Sequence, residues 1–148
     1  MIRPSLEADK IVITDRYYFS TVAYQGARGL EPAELLRQNE AIALEPHLLV
    51  LIDLDAETCL ARIRSRGQGV TLFESTEQLA RCRQIFLSIR KPYLLRLDGR
   101  ASPDELRDEI LVAFSRTAVE RIAQVSALTP AQKLAAVLAL HGAPSGAA

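Results

Sequence analysis

The run His47-Leu48-Leu49-Val50-Leu51-Ile52-Asp53-Leu54 decides the fold class of this chain. It is almost continuously apolar and does not alternate, which is the pattern of a central parallel strand covered on both faces. Glu45-Pro46 closes the element before it, because the residue preceding a proline is pushed out of the α region. Asp55 follows as a cap for a helix over Ala56–Ser65. Working outward, Ile11-Val12-Ile13-Thr14 is a second β-branched run of the same character, and Tyr93-Leu94-Leu95-Arg96-Leu97 is a third, shorter one. Residues 20–26 read as a helical turn or two. Pro32 opens a helix whose apolar stripe is Leu35, Leu36, Ile42 and Leu44. Thr76 opens another, with Leu79, Cys82, Phe86 and Leu87 at helical spacing. Ser102-Pro103-Asp104-Glu105 combines a cap, a first-position proline and first-turn acids, and the helix it starts runs through Phe114 toward Val125. Strand and helix alternate, so the expectation is an α/β layer fold with a parallel sheet. Residues 1–125 are expected to form the domain. Residues 126–148 are expected to add a helix from Thr129-Pro130 and a low-complexity, flexible tail.

The chain has 148 residues, 49% hydrophobic and 24% charged, the length of one domain and the composition of an ordinary globular protein. Its 18 basic and 18 acidic side chains cancel, so it lacks the cationic excess from which a nucleic-acid binder draws affinity. Only Lys10, Lys91 and Lys133 are lysines; the rest of the basic residues are arginines. That bias suits bidentate phosphate recognition and follows equally from a GC-rich genome. Cys59 and Cys82 make neither a disulfide framework nor a zinc site by themselves. No apolar run approaches the about 18 residues of a membrane span, and the first residues carry no apolar signal-peptide core. The expected setting is cytoplasmic, without membrane or nucleic-acid partners.

In an open parallel sheet, ligands bind beyond the carboxyl ends of the strands. Three polar clusters fall there: Asp15-Arg16, the acids Asp53 and Asp55, and Asp98-Gly99-Arg100. The first is followed by Tyr17, Ser20, Thr21, Tyr24 and Gln25, which gathers partners for phosphate, hydroxyl and amide groups. A local ion pair or a helix cap accounts for Asp15 and Arg16 equally well. A further cluster is Arg62, Arg64 and Arg66. Arg62 and Arg66 share a helix face; they read either as a nucleotide clamp leading into a lid over 68–73 or as cations favoured by a helix C-terminus. His47 and His141 have no evident partners.

Taken in order, these residues resemble the thymidylate kinase family. Ile11 to Tyr17 with Ser20 and Ala23-Tyr24-Gln25-Gly26 is similar to its Asp-Arg-Tyr and Tyr-Gln segment. Pro46, Leu51-Ile52-Asp53-Leu54-Asp55, Glu57, Leu60, Arg62, Arg66-Gly67 and Phe73-Glu74 continue the likeness. Leu79, Arg83, Phe86, Leu97-Asp98 and Asp104-Glu105 carry it to about Phe114. The resemblance implies transfer of the γ-phosphoryl group of ATP to dTMP, with Mg2+, in a P-loop nucleoside-monophosphate kinase. A homodimer is an expected assembly. Arg16 would bind the acceptor phosphate, and Asp15 would orient Arg16 or join the magnesium and water network. Ser20 and Thr21 would line the acceptor site, Tyr24 would stand against the sugar where a 2′-hydroxyl would be, and Gln25 would contact the acceptor. Arg62 and Arg66 would lie beside the ATP.

Two departures qualify that reading. Thr71 and Leu72 stand where many family members carry an acid and an arginine before the residue matching Glu74. None of the seven glycines belongs to a Gly-x-x-x-x-Gly-Lys-Ser/Thr loop, the phosphate cradle of such kinases. The expected architecture is therefore a three-layer P-loop NTPase-like α/β fold, truncated at its N-terminus. Its three runs would be strands 3, 4 and 5 of a 2-3-1-4-5 parallel sheet. The 148 residues alone are expected to be inactive. The alternatives are another P-loop nucleoside or nucleotide kinase, or a non-catalytic remnant using its C-terminal helices for interaction or dimerisation.

Overall fold

The computed structural model describes residues 2–8, 10–65, 76–125, 129 and 132. Among the described residues six helices and two strands follow one another: α1 (Ile2–Glu7), α2 (Tyr18–Ala27), α3 (Pro32–Glu40), β1 (Leu49–Asp53), α4 (Ala56–Ser65), α5 (Thr76–Ser88), β2 (Leu94–Asp98) and α6 (Pro103–Val125). The α/β class holds, with helices and a small parallel sheet.

Most helix boundaries are set by local chemistry. Asp55 caps α4 by accepting both the backbone N–H and the hydroxyl of Thr58, each at 2.8 Å. α6 opens with a reciprocal box: the Ser102 hydroxyl accepts from the Glu105 N–H at 3.2 Å, and the Glu105 carboxylate accepts from the Ser102 N–H at 2.8 Å. The Ser102 contacts hold the Glu105 carboxyl below the usual range. α2 ends in a glycine cap. Gly29 takes φ 102°, its N–H bonds the Gly26 carbonyl at 2.9 Å, and the Leu30 N–H reaches the Gln25 carbonyl at 3.3 Å. That pairing satisfies carbonyls that the helix end would otherwise leave open, and a positive φ is cheapest for glycine.

The chain divides into two compact units. One is drawn from Met1–Pro46 and Asp53–Pro92, the other from His47–Ile52 and Tyr93–Ala148. In the first, α2 packs against α3 and α5, and α5 against α4. Tyr18, Phe19, Val22, Ala23 and Ala27 form the buried face of α2, and Leu60, Cys82 and Ile89 complete the core of the unit. Gly26 lies where α2 approaches its neighbours most closely: a Cβ there would stand 2.8 Å from Ile85 Cδ1 and 3.0 Å from Pro32 Cγ. In the second unit, β1 pairs with β2, and the Leu49 N–H donates to the Tyr93 carbonyl at 2.9 Å. Leu97 is its buried apolar strand residue.

Several expectations need correction. Residues 11–14, expected as the first of three strands, join no sheet among the described residues. Ile11 and Ile13 are 69% and 90% exposed. A β-branched run becomes a strand only where neighbours take its N–H and C=O groups and cover its side chains, so composition alone could not make it one. β1 is partly rather than fully covered, with Ile52 half exposed, because it has a single strand neighbour among the described residues. α3 stops at Glu40, short of Leu44, and Ile42 is 86% exposed. The helix closes in a backbone turn, with the Ala43 N–H bonded to the Asn39 carbonyl at 2.8 Å, and Lys91 spans that turn, its ammonium meeting Glu40 at 2.6 Å and Glu45 at 3.4 Å. α1 was not anticipated. The C-terminal helix and tail lie outside the described residues except for Thr129 and Gln132. There the Thr129 N–H donates to the Gln132 side chain at 3.0 Å.

Replacing Gly26 by Val tests the α2 packing. The added methyls meet the Pro32 ring, which cannot swing aside, so unfolding in urea should show a loss of about 1–3 kcal/mol. An unchanged midpoint would mean that α2 is not held against α3 and α5 as described.

Candidate functional site

The Asp15-Arg16 pair forms a bend immediately before α2, and both side chains are exposed. Arg16 adopts φ 67°, the one positive φ at a non-glycine residue among the described residues. For an L-residue this region costs about 1–2 kcal/mol, because Cβ crowds the following carbonyl. Tyr17 is then extended, with φ −145° and ψ −170°, and its carbonyl accepts from the Ser20 N–H at 2.9 Å. The Tyr17 hydroxyl donates to the Leu44 carbonyl at 3.1 Å, which anchors the bend to the segment after α3. The Tyr17 and Tyr18 rings lie 4.7 Å apart and the Tyr18 and Phe19 rings 4.1 Å apart, so aromatic packing buttresses the same stretch.

Beyond the bend, the helix sorts its residues by face. Phe19, Val22 and Ala23 turn into the core, while Ser20, Tyr24 and Gln25 are half-buried and Thr21 is exposed. Ser20 and Tyr24 are one turn apart, as are Thr21 and Gln25. The Arg16 guanidinium lies over the Tyr24 ring, 5.3 Å from its centroid, within the range of a cation–π contact. The structure therefore brings Arg16 and Tyr24 together across eight positions of sequence. The N-cap residue of α2, Tyr17, makes no side-chain cap hydrogen bond, and the first turn of the helix holds no acid. Its positive end thus stands two residues from a guanidinium, an arrangement favourable to an anion.

The acidic pair at the end of β1 is engaged in holding the fold. Asp53 accepts two hydrogen bonds from Arg83 on α5, at 2.7 and 2.9 Å, a bidentate pair that raises the Arg83 pKa further. Asp55 is the α4 cap already described. Asp98 accepts from the Arg100 N–H at 2.9 Å and forms the turn after β2. The Asp53–Arg83 pair was missed in the sequence, where each residue stood only as a separate point of resemblance 30 positions from the other. Arg62 is exposed in the last turn of α4. Arg66, the lid over 68–73 and the departures at Thr71 and Leu72 lie outside the described residues. Cys59 and Cys82 are free thiols whose pKa values burial pushes up, so neither is a poised nucleophile. Among the described residues, no group of three or more His, Cys, Asp or Glu side chains could hold a metal ion.

Comparison with known proteins gives this bend and helix a family. The sequence model described as thymidylate kinase matches residues 1–110. The chain belongs to the thymidylate kinase family. The thymidylate kinase of Xanthomonas campestris pv. campestris is 39% identical over 145 residues, covering 98% of this chain and 63% of its own length. That of Akkermansia muciniphila is 38% identical over 115 residues, 78% of this chain and 55% of its own length. That of Xanthomonas euvesicatoria pv. vesicatoria is 46% identical over 106 residues, 72% and 46% respectively. The chain thus spans less than two thirds of the length of the thymidylate kinases it matches. The family match takes in Arg16, Tyr24, the Asp53–Arg83 pair and the start of α6. No helix among the described residues is long and apolar enough to cross a membrane.

The strain at Arg16 has a direct test. Arg16→Gly removes the steric cost of the positive φ, whereas Arg16→Ala retains it. The glycine variant should be more stable than the alanine variant by about 1 kcal/mol in urea unfolding. Equal stabilities would mean that the bend is unstrained.

Proposed function

We propose that this chain carries the acceptor side of a thymidylate kinase, the enzyme that transfers the γ-phosphoryl group of ATP to dTMP and yields dTDP. The observation that supports this best is Arg16, presented at a strained bend beside the uncapped start of α2 and over the Tyr24 ring. Backbone strain concentrates where a side chain must be presented in one direction. Arg16 binds the dTMP phosphate through charge-assisted hydrogen bonds and offsets the charge that builds up during transfer. Asp15 orients Arg16 or joins the magnesium and water network. Ser20 and Thr21 line the acceptor pocket, Gln25 contacts the nucleotide, and Tyr24 occupies the space of a 2′-hydroxyl and so favours deoxyribose. Arg62 and Arg66 serve the ATP side.

ATP supplies the phosphoryl group and Mg2+ neutralises its phosphates when bound. The 148-residue sequence has no Gly-x-x-x-x-Gly-Lys-Ser/Thr loop, the phosphate cradle of such kinases, so its donor site is incomplete. Phosphoryl transfer depends almost wholly on positioning and electrostatic stabilisation, so an acceptor half without the cradle binds without turning over. Two free thiols fit a reducing, cytoplasmic setting.

Calorimetric titration of the 148-residue chain should detect dTMP binding, while chromatography with ATP and Mg2+ should find no dTDP. Arg16→Ala should weaken dTMP binding about tenfold or more, the worth of a charged hydrogen bond. Absence of dTMP binding would remove the acceptor reading, and dTDP formation would remove the claim of an incomplete donor site. Tyr24→Ala should narrow the preference for dTMP over its ribonucleotide counterpart. An unchanged ratio of the two affinities would take the sugar role from Tyr24.

A further inference from the structure

We infer that Tyr24 is also a positioning residue for Arg16: its ring face holds the guanidinium where an incoming phosphate will meet it. The inference rests on the acceptor reading above but concerns a step before any nucleotide arrives. Three observations carry it. The Arg16 guanidinium carbon lies over the Tyr24 ring, 5.3 Å from its centroid, so the two side chains contact each other directly. Arg16 is held at φ 67°, a backbone state that an arginine leaves unless something retains it. The half-buried Tyr24 stands on a helix whose backbone is held by packing against α5 and α3, so the ring projects from a firm support.

The physical consequence is preorganisation. An exposed arginine samples many rotamers, and binding must select one. A ring that attracts the cation's face leaves the N–H groups at the guanidinium edge for a phosphate oxygen, because the quadrupole binds the face and the donors lie in the plane. Population of the retained rotamer should rise about two- to fivefold, the worth of an exposed cation–π contact. Phosphate affinity should rise by the same factor, since affinity scales with the fraction already competent. This role differs from facing the sugar: a residue that only gates a 2′-hydroxyl has no effect on a ligand without a sugar.

The test uses the 148-residue chain labelled with isotopes at arginine, with the Arg16 side-chain signals assigned by their loss in Arg16→Lys. Ring current should displace the Arg16 signals upfield in the parent and in Tyr24→Phe, and the displacement should vanish in Tyr24→Leu. Titration with inorganic phosphate alone should give two- to fivefold weaker binding for Tyr24→Leu than for Tyr24→Phe. Pentafluorophenylalanine at position 24 keeps the ring shape and reverses its quadrupole. It should therefore weaken phosphate binding as Leu does, which keeps the test decisive even where Tyr24→Leu does not fold. Arg16 signals unchanged in Tyr24→Leu, or equal phosphate affinity with phenylalanine and pentafluorophenylalanine, would overturn the proposal. Failure of the acceptor reading looks different: a chain that did not prefer dTMP to inorganic phosphate would still show the ring-current displacement.

Discussion

The close approach at Gly26 is the constraint on which the first unit depends. Because this position has no side chain, Pro32 of α3 and Ile85 of α5 reach the backbone of α2. That contact sets how Phe19 and Val22, each 2% exposed, enter the core. It also fixes the opposite consequence, since a helix clamped along one face presents the rest of its circumference in a defined direction. Ser20, Tyr24 and Gln25 therefore stand half-buried on a rigid support. A binding face built on a packed helix holds its geometry better than one built on a loop.

Charge serves the structure in two different ways. The bidentate Asp53–Arg83 pair ties the end of β1 to α5, and its partly exposed side chains make it a fixer of geometry more than a large source of stability. Lys91 gathers Glu40 and Glu45 across the turn after α3, the Glu40 contact contributing most to raising its pKa. Tyr17 reaches Leu44 in that same segment, whose carbonyl anchors the start of α2. Arg16 differs from these charges: its contact is an aromatic face, which leaves its donors directed elsewhere.

Strain and dipole act together at the start of α2. A positive φ at a non-glycine residue and a helix opening without a side-chain cap are each unfavourable for the protein alone. A helix start without a side-chain cap and a guanidinium two residues away are together favourable to a negative charge. Elsewhere α4 and α6 open with side-chain caps.

Features that depend on a few neighbouring residues were legible in the sequence. Asp55 as the α4 cap, Ser102-Pro103 as the start of α6 and the bounds of α4 follow from interactions spanning four positions or fewer, and the apolar runs placed β1 and β2 to within two residues. The order of motifs from Asp15 to Glu105 likewise sufficed for the family. Tertiary structure alone decided the rest. Residues 11–14 have every mark of a strand yet are exposed, because a strand is made by its neighbours. Glu40 at the end of α3 meets a lysine 51 positions away, and Asp53 meets Arg83 across 30. Arg16 and Tyr24 were both visible as candidates, but the contact between them and the left-handed φ at Arg16 appear only in the folded chain, because no local pattern favours that backbone region for an arginine.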